Sequence, residues 1–228
     1  MQKSAAIDYK HEGHACEGFA VWDDAGAKRP GILVFPEWGG VGEYTEKRAK
    51  MLAELGFNAF VVDVYGKGIR PNTPETCQAE MMKYATNRPL LRARARAGLD
   101  ELRKVANTDL ARLAAIGYCF GGMAVLEMAR DAQNDLAGVV SFHGVLATPT
   151  PLKPNTYKGK ILVLHGVDDP VVPDDMTMGF QGGLGVRRLR QSASHLHQLA
   201  DAGGRAAARG LQQTGRPTVL DRDDRLLR

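Results

Sequence analysis

The chain has 228 residues, of which 44% are hydrophobic and 25% are charged, a composition typical of a globular domain large enough to bury one core. It contains no apolar run long enough to cross a membrane, and the residues that follow Met1 lack the apolar segment of a secretory signal peptide. Three cysteines without metal-ligand spacing suit a reducing compartment. We therefore predict a cytoplasmic protein that uses neither a metal nor another cofactor.

The first predicted elements are a hairpin and two buried strands. Apolar residues alternate over 5–22, which predicts an N-terminal β-hairpin. Continuous apolar runs at 31–36 and 59–64 are typical of strands buried in a parallel sheet. The amphipathic stretch between these two runs, 43–55, predicts a helix that ends at Gly56.

Helices and strands continue to alternate along the rest of the ordered pattern. Thr73-Pro74 predicts the start of a helix over 75–84. The remaining elements are helices at 89–106 and 122–132 and strands at 113–118, 137–142 and 160–165. This alternation predicts a mostly parallel central sheet with helices on both faces. In such a sheet the functional site forms at the carboxyl ends of the strands.

The most informative motif is Gly117-Tyr118-Cys119-Phe120-Gly121, which lies between a predicted strand and a predicted helix. A strand, a tight turn and a helix form the nucleophile elbow, in which a strained central residue is exposed and flanking glycines let the two backbones approach. The N-terminus of the helix would stabilise a thiolate on Cys119. The alternative is a small buried cysteine in a βα turn.

Five segments, in chain order, resemble the dienelactone hydrolase family of α/β-hydrolases. They are Phe35-Pro-Glu37-Trp-Gly-Gly40, Asp63-Val-Tyr-Gly-Lys-Gly68, Gly117-Tyr-Cys119-Phe-Gly-Gly122, Ser141-Phe-His-Gly144 and His165-Gly-Val-Asp-Asp-Pro-Val-Val-Pro173. The resemblance covers residues 1–180 and implies an α/β-hydrolase fold. It also implies a Cys-His-Asp triad that opens lactones or other esters, so the expected partner is a small ester or lactone, not a nucleic acid or a membrane.

The resemblance assigns roles to individual residues. It makes Cys119 the nucleophile and Asp169 the acid of the triad, in preference to its neighbour Asp168. It places the backbone N–H groups of Phe120 and Trp38 in the oxyanion hole. Glu37 matches the family's acidic residue that influences the ionisation of the thiol, although a helix-capping carboxylate is the simpler interpretation of this position.

Other charged side chains near these motifs have simpler explanations. The arginines that bind a substrate carboxylate in the family have no matching motif here, and we expect Arg70, Arg88 and Arg92 to lie on solvated faces. His143 and His165 each end a predicted strand, and we expect them to be hydrogen-bonded structural residues.

The composition changes abruptly after Phe180. Residues 181–228 contain nine arginines and four aspartates but no Lys, Glu, Ile, Phe, Tyr or Trp, whereas all fifteen aromatic residues precede this point. The net charge of +4 therefore comes from the last 48 residues, because residues 1–180 carry 21 basic and 22 acidic side chains. We predict a truncated hydrolase domain over 1–180, followed by a disordered or non-native tail over 181–228.

The histidine turn of the family, His-x-Phe followed by Thr-Asn, has no match in this sequence. His195 and His197 stand near the expected distance, without the expected strand before them or the Phe after them, and either of them is the candidate base. One choice of codons for 183–200, read one base later, encodes the missing Trp, Tyr-Gly and His-x-Phe-Thr-Asn, which indicates a shifted reading frame. This chain is then an impaired hydrolase or, alternatively, a non-catalytic scaffold.

Overall fold

The computed structural model describes residues 1–131, 135–149 and 157–166, together with the backbone of 185–189. The strands are β1 (Gln2–His11), β2 (His14–Asp23), β3 (Arg29–Phe35), β4 (Asn58–Val61), β5 (Thr108–Tyr118), β6 (Gly138–Phe142), β7 (Lys160–Gly166) and β8 (Gly185–Leu189). The helices are α1 (Glu43–Glu54), α2 (Pro74–Ala85), α3 (Arg88–Lys104) and α4 (Phe120–Asp131). The strands form one sheet in the order β1-β2-β4-β3-β5-β6-β7-β8.

The predicted N-terminal hairpin is present at one edge of the sheet. β1 and β2 pair in antiparallel register from Gln2 opposite Asp23 to His11 opposite His14. Glu12 and Gly13 both have positive φ, which is the requirement of a two-residue turn whose twist matches that of its strands. β2 then pairs antiparallel with β4, and every later strand pair is parallel.

Helices cover both faces of the parallel strands, as the alternating pattern predicts. On one face, Ala49, Leu52 and Ala53 of α1 pack on Ile32, Val34 and Val61 of the sheet. On the other face, buried residues of α3 and α4 form a larger core with Leu33, Phe35 and Phe60. Alternate residues of the same strand therefore enter different cores, and this explains why these strands read as continuous apolar runs.

The local signals at the helix ends act as predicted. Thr73 caps α2, where its side-chain oxygen accepts a hydrogen bond from the Thr76 backbone N–H, and Pro74 is the first helical residue. Gly56, just after α1, has φ of +93°, a left-handed conformation that glycine adopts without strain. The chain therefore returns into β4 within a few residues of the end of α1.

Residues 185–189, within the stretch predicted to be a disordered or non-native tail, form the strand β8. β8 pairs in parallel with β7, from Leu162 opposite Gly185 to Gly166 opposite Leu189. The pairing uses backbone N–H and C=O groups, which any non-proline residue supplies, so an unusual side-chain composition does not prevent it. The domain boundary at 180 and the shifted reading frame stay predictions.

β5 is longer than the predicted strand. It begins at Thr108, five residues earlier, because Arg29 and Pro30 of β3 pair with Thr108 and Asp109 ahead of an irregularity in register.

In the part of the chain that the structure describes, no helix is long and apolar enough to span a lipid bilayer.

Candidate active site

The predicted elbow connects β5 to α4, and Cys119 is its central residue. Cys119 has φ of +53°, in the left-handed region that a non-glycine residue adopts only when its surroundings enforce it. Its backbone N–H donates to the Phe142 carbonyl at 3.0 Å, and its carbonyl accepts the Met123 N–H at 3.2 Å as α4 begins. The turn thus presents the thiol at the carboxyl edge of the sheet and at the N-terminus of a helix.

Close backbone contacts at two glycines enforce this turn. A Cβ atom on Gly117 would overlap the backbone of Gly121, and a Cβ atom on Gly121 would overlap the carbonyl groups of Phe35 and Pro36. Only glycine fits at either position. The first turn of α4 therefore lies directly against the end of β3, and this contact brings the segment that follows Pro36 to the elbow.

The segment after β3 forms a tight turn from Glu37 to Gly40. The Gly40 N–H donates to the Glu37 carbonyl at 3.0 Å, and Gly40 has φ of +78°. The carbonyl of Trp38 accepts a hydrogen bond from the Tyr65 hydroxyl at 2.8 Å, while the Trp38 side chain is 38% exposed. Trp38, one of the two predicted oxyanion residues, therefore belongs to a loop fixed by hydrogen bonds.

Glu37 does not have the capping role that offered its simpler interpretation. The N-cap of α1 is Gly42, whose backbone N–H donates to the Thr45 hydroxyl at 3.2 Å. Glu37 is half-buried. Burial raises the pKa of the Tyr118 hydroxyl, Arg48 opposes this effect, and Tyr44 and Glu37 add to it. The charge of Glu37 therefore acts on the residue before Cys119.

The three cysteines differ in their access to solvent. Cys16 and Cys77 are buried, whereas Cys119 is partly exposed. Burial also raises the pKa of the Cys16 thiol, although the nearby Arg94 opposes this effect. A thiol reagent in water therefore reaches Cys119 in preference to the other two.

The two strand-end histidines, His143 and His165, lie in different environments. His165, in β7, is buried, as a structural residue is expected to be. His143 follows β6, the strand next to β5, and has φ of +42°; its N–H donates to the Leu164 carbonyl at 2.8 Å. Two strained non-glycine residues, Cys119 and His143, thus follow adjacent strands at the same edge of the sheet.

The expectation of solvated arginines was wrong for Arg70, Arg88 and Arg92, which are all partly buried. Arg70 donates to the carbonyl groups of Gly66, Ile69 and Glu17, a contact that joins the loop after β4 to β2. Arg92, only 17% exposed, donates through Nε and Nη2 to one oxygen of Glu127 at 2.9 and 2.6 Å. Neighbouring backbone carbonyls and a carboxylate compensate for the water that these guanidinium groups lose.

Glu127 is the centre of a buried charge network behind the elbow. Its carboxylate is inaccessible to solvent and also accepts hydrogen bonds from Arg130 and Thr148, each at 2.9 Å. Arg130 continues to the Leu146 carbonyl at 2.8 Å. Arg88, one turn before Arg92 in α3, is beside the network, and burial lowers its pKa while Glu127 opposes this effect. The network ties α3, α4 and the segment after β6 together.

Several predicted site residues lie outside the described residues. They are Asp168, Asp169, His195 and His197, so their roles stay predictions. Among the residues that the structure describes, no group of three or more His, Cys, Asp or Glu side chains is arranged to hold a metal ion.

The sequence predicted no role for Tyr65, although this residue belongs to the motif Asp63-Val-Tyr65. Its position could have indicated one, because the motif directly follows the buried strand β4, at the edge of the sheet where sites form. The partner of its hydroxyl, Trp38, is 27 residues away in sequence.

Comparison with known proteins agrees with the elbow and the sheet. The family model of the dienelactone hydrolase family matches residues 17–191. The chain belongs to the dienelactone hydrolase family. The match extends eleven residues beyond Phe180 and includes β8.

Solved structures of similar proteins cover almost the whole chain. The structure of m3DLH is 32% identical, with a TM-score of 0.79 over 92% of this chain and 97% of that protein. A dienelactone hydrolase-like promiscuous phosphotriesterase from metagenomic libraries is 28% identical, with a TM-score of 0.78 over 92% and 98% of the two chains. A curated relative, an uncharacterized protein of Caenorhabditis elegans, is 38% identical over 63 residues, which are 28% of this chain and 38% of that protein.

The contacts at Gly117 predict a large loss of stability on the addition of one methyl group. We expect Gly117→Ala to lower the free energy of unfolding by about 3 kcal/mol or more, because the new Cβ overlaps backbone atoms that cannot move independently. Gly42→Ala is the control: a Cβ there meets no described atom within 4 Å, so we expect a loss below about 1 kcal/mol. Urea unfolding measures both, and equal midpoints would contradict the close contact.

The Glu127 network predicts a second effect on stability. We expect Glu127→Gln to cost about 3–5 kcal/mol in unfolding free energy, because Arg92 and Arg130 stay buried without their shared carboxylate. Glu101→Gln removes the same charge from a pair whose Lys104 is 69% exposed, and we expect a change within about 0.5 kcal/mol. If thermal or urea unfolding finds the two variants equally stable, the network is not a major source of stability.

Proposed function

We propose that this chain is a hydrolase of carboxylic esters or lactones in which Cys119 is the nucleophile. The observation that carries the proposal is the left-handed backbone of Cys119 at the junction of β5 and α4, which aims a partly exposed thiol away from the sheet. Membership of the dienelactone hydrolase family supports the reaction class. A small-molecule ester or lactone is the substrate class that this proposal requires.

In the proposed mechanism, the Cys119 sulfur attacks the carbonyl carbon of the ester and forms a tetrahedral intermediate. The negative charge that develops on the carbonyl oxygen is stabilised by the N–H groups of Phe120 and Trp38. The thiol proton passes to a base, the C–O bond breaks, the leaving oxygen takes that proton, and an acyl thioester remains on Cys119. Water then gives one proton to the base and attacks the thioester, the acyl carbon–sulfur bond breaks, and the sulfur takes the proton from the base. The products are a carboxylic acid and an alcohol, which are one molecule when the substrate is a lactone.

Glu37 and the N-terminus of α4 act on the thiol in opposite directions. The partial positive charge at the helix N-terminus stabilises a thiolate. The negative charge of Glu37 would disfavour a thiolate by repulsion, and its carboxylate is also able to accept the thiol proton. We propose that the balance of these two effects influences how readily Cys119 reacts.

The base is the component of the proposed triad whose family motif this sequence lacks. Asp169 with His195 or His197 would supply it, but neither histidine is followed by the Phe-Thr-Asn of the family motif. We therefore propose that this chain is impaired in turnover, because a thiol without an oriented imidazole keeps only the contribution of the oxyanion hole and of substrate binding.

Selective labelling tests the nucleophile. We expect iodoacetamide to alkylate Cys119 first, since Cys16 and Cys77 are buried, and peptide mass spectrometry identifies the modified residue. We expect Cys119→Ala to remove the burst of p-nitrophenol that p-nitrophenyl acetate produces, whereas the control Cys77→Ala keeps it. Labelling of Cys77 in preference to Cys119, or a burst that survives Cys119→Ala, would overturn the proposed nucleophile.

Steady-state hydrolysis tests the proposed impairment. We expect a slow rate that His195→Ala and His197→Ala both leave unchanged, because neither side chain replaces the missing histidine turn. Rapid hydrolysis that His195→Ala or His197→Ala abolishes would contradict the impairment and identify that residue as the base. The gene sequence from codon 170 onward is the complementary measurement: a shifted frame that encodes His-x-Phe-Thr-Asn would explain the tail.

The alternative function, a non-catalytic scaffold, makes a different prediction for a repaired chain. If the shifted frame supplies the histidine turn, the hydrolase proposal requires turnover of p-nitrophenyl acetate at least about 1000-fold faster than that of the Cys119→Ala variant. A repaired chain that folds and is alkylated at Cys119, but does not hydrolyse activated esters, would support the scaffold.

A further inference from the structure

We propose that Tyr65 is a positioning residue that holds both halves of the oxyanion hole in place. The inference rests on the proposed function, and it adds a residue to which neither the sequence motifs nor the family match assigned a role. Tyr65 contacts Trp38 through its hydroxyl and Phe120 through its ring. These are the two residues whose backbone N–H groups are proposed to bind the oxyanion.

The hydroxyl contact fixes the backbone of the loop after β3. The Tyr65 hydroxyl donates to the Trp38 carbonyl at 2.8 Å, and the Tyr65 side chain is only 1% exposed. The loop closes close to the same ring, since a Cβ on Gly40 would lie 3.1 Å from a carbon of Tyr65. The hydroxyl and the ring therefore restrict the turn at Trp38 and at Gly40.

The ring contact reaches the elbow. The rings of Tyr65 and Phe120 lie 5.8 Å apart between centroids with an interplanar angle of 32°, and Phe120 is buried. The N–H of Phe120 is the first backbone donor after the nucleophile. One side chain thus packs against the residue that follows Cys119 and bonds to the loop opposite it.

Tyr65 is itself held rigidly, as a positioning residue must be. Its carbonyl accepts a hydrogen bond from the Tyr84 hydroxyl at 3.0 Å, and His14 Nε2 lies 3.0 Å from the same oxygen. Burial raises the pKa of the Tyr65 hydroxyl, and neighbouring groups that include Cys77 and Cys119 add to this effect. The hydroxyl therefore stays protonated, and remains a donor to Trp38, throughout the pH range of an ester hydrolase assay.

Loss of this hydroxyl should affect only steps that place charge on a carbonyl oxygen. Attack on an ester develops an oxyanion. The Tyr65 hydroxyl holds the Trp38–Gly39 peptide, so its loss lets the backbone of Trp38 move, and the Trp38 N–H, which belongs to the preceding peptide, aligns poorly and slows acylation. Alkylation by iodoacetamide displaces iodide from a saturated carbon and develops no oxyanion. The two reactions use the same sulfur, so their ratio reports on the oxyanion hole rather than on the thiol or on folding.

The experiment compares Tyr65→Phe with wild-type protein and with the matched control Tyr157→Phe. Tyr157 also donates its hydroxyl to a backbone carbonyl, that of Leu136 at 3.0 Å, but it lies beside β7, away from the loop after β3. For each protein, the rate of acylation by p-nitrophenyl acetate is measured from the burst, and the rate of alkylation by iodoacetamide is measured by mass spectrometry of Cys119.

We expect Tyr65→Phe to slow acylation about 10-fold, less than the loss of a direct oxyanion donor, with the apparent KM for the ester within about twofold of wild type. We expect alkylation to stay within about twofold of wild type, and Tyr157→Phe to change neither rate. Equal acylation by Tyr65→Phe and Tyr157→Phe, or a parallel fall in acylation and alkylation in Tyr65→Phe, would overturn the positioning role. Wild-type protein that is alkylated but never acylated would instead overturn the proposed function.

Discussion

The close contact of Gly117, Gly121 and the end of β3 determines the arrangement of the rest of the site. Because Gly121 has no side chain, the first turn of α4 lies against the carbonyl groups of Phe35 and Pro36. The same contact leaves Cys119 in a left-handed conformation at the edge of the sheet and brings the loop that contains Trp38 to the start of α4 at Phe120. One steric requirement thus sets the direction of the thiol and the location of both proposed oxyanion donors.

A strained turn persists only if the elements around it are held firmly, and the contacts behind the elbow supply that support. Glu127, two turns into α4, bonds to Arg92 of α3 and to Thr148 after β6. In front of the elbow, Tyr65 packs on Phe120 and bonds to Trp38. Two sets of contacts therefore hold the strained turn at Cys119 in place: the buried ionic network around Glu127 and the aromatic side chain of Tyr65.

The sequence predicted the local features well because each has a short-range cause. The hairpin, the buried strands, the Thr73 cap and the elbow at Cys119 all follow from neighbouring residues. Contacts between residues that are far apart in sequence produce no local sequence pattern. The extension of β5 depends on pairing with Arg29, and the hydrogen bond from Tyr65 to Trp38 joins two different βα loops. The pairing of β8 with β7 was not predicted, because the expectation for residues 181–228 rested on side-chain composition. A parallel sheet forms through backbone N–H and C=O groups, on which composition gives no information.

The described contacts around the thiol come from β3, β4, β5, α4 and β6 and from the loops after β3 and β4, all of which precede residue 143. The proposed base and its acid, by contrast, belong to residues after 166. Presentation of the thiol and stabilisation of an oxyanion are therefore physically separable from deprotonation of the thiol. A change confined to the C-terminal residues would leave a protein that still reacts through Cys119 but turns over slowly, because the first set of contacts does not depend on the second. Alkylation, acylation and turnover accordingly report on three different parts of the same site.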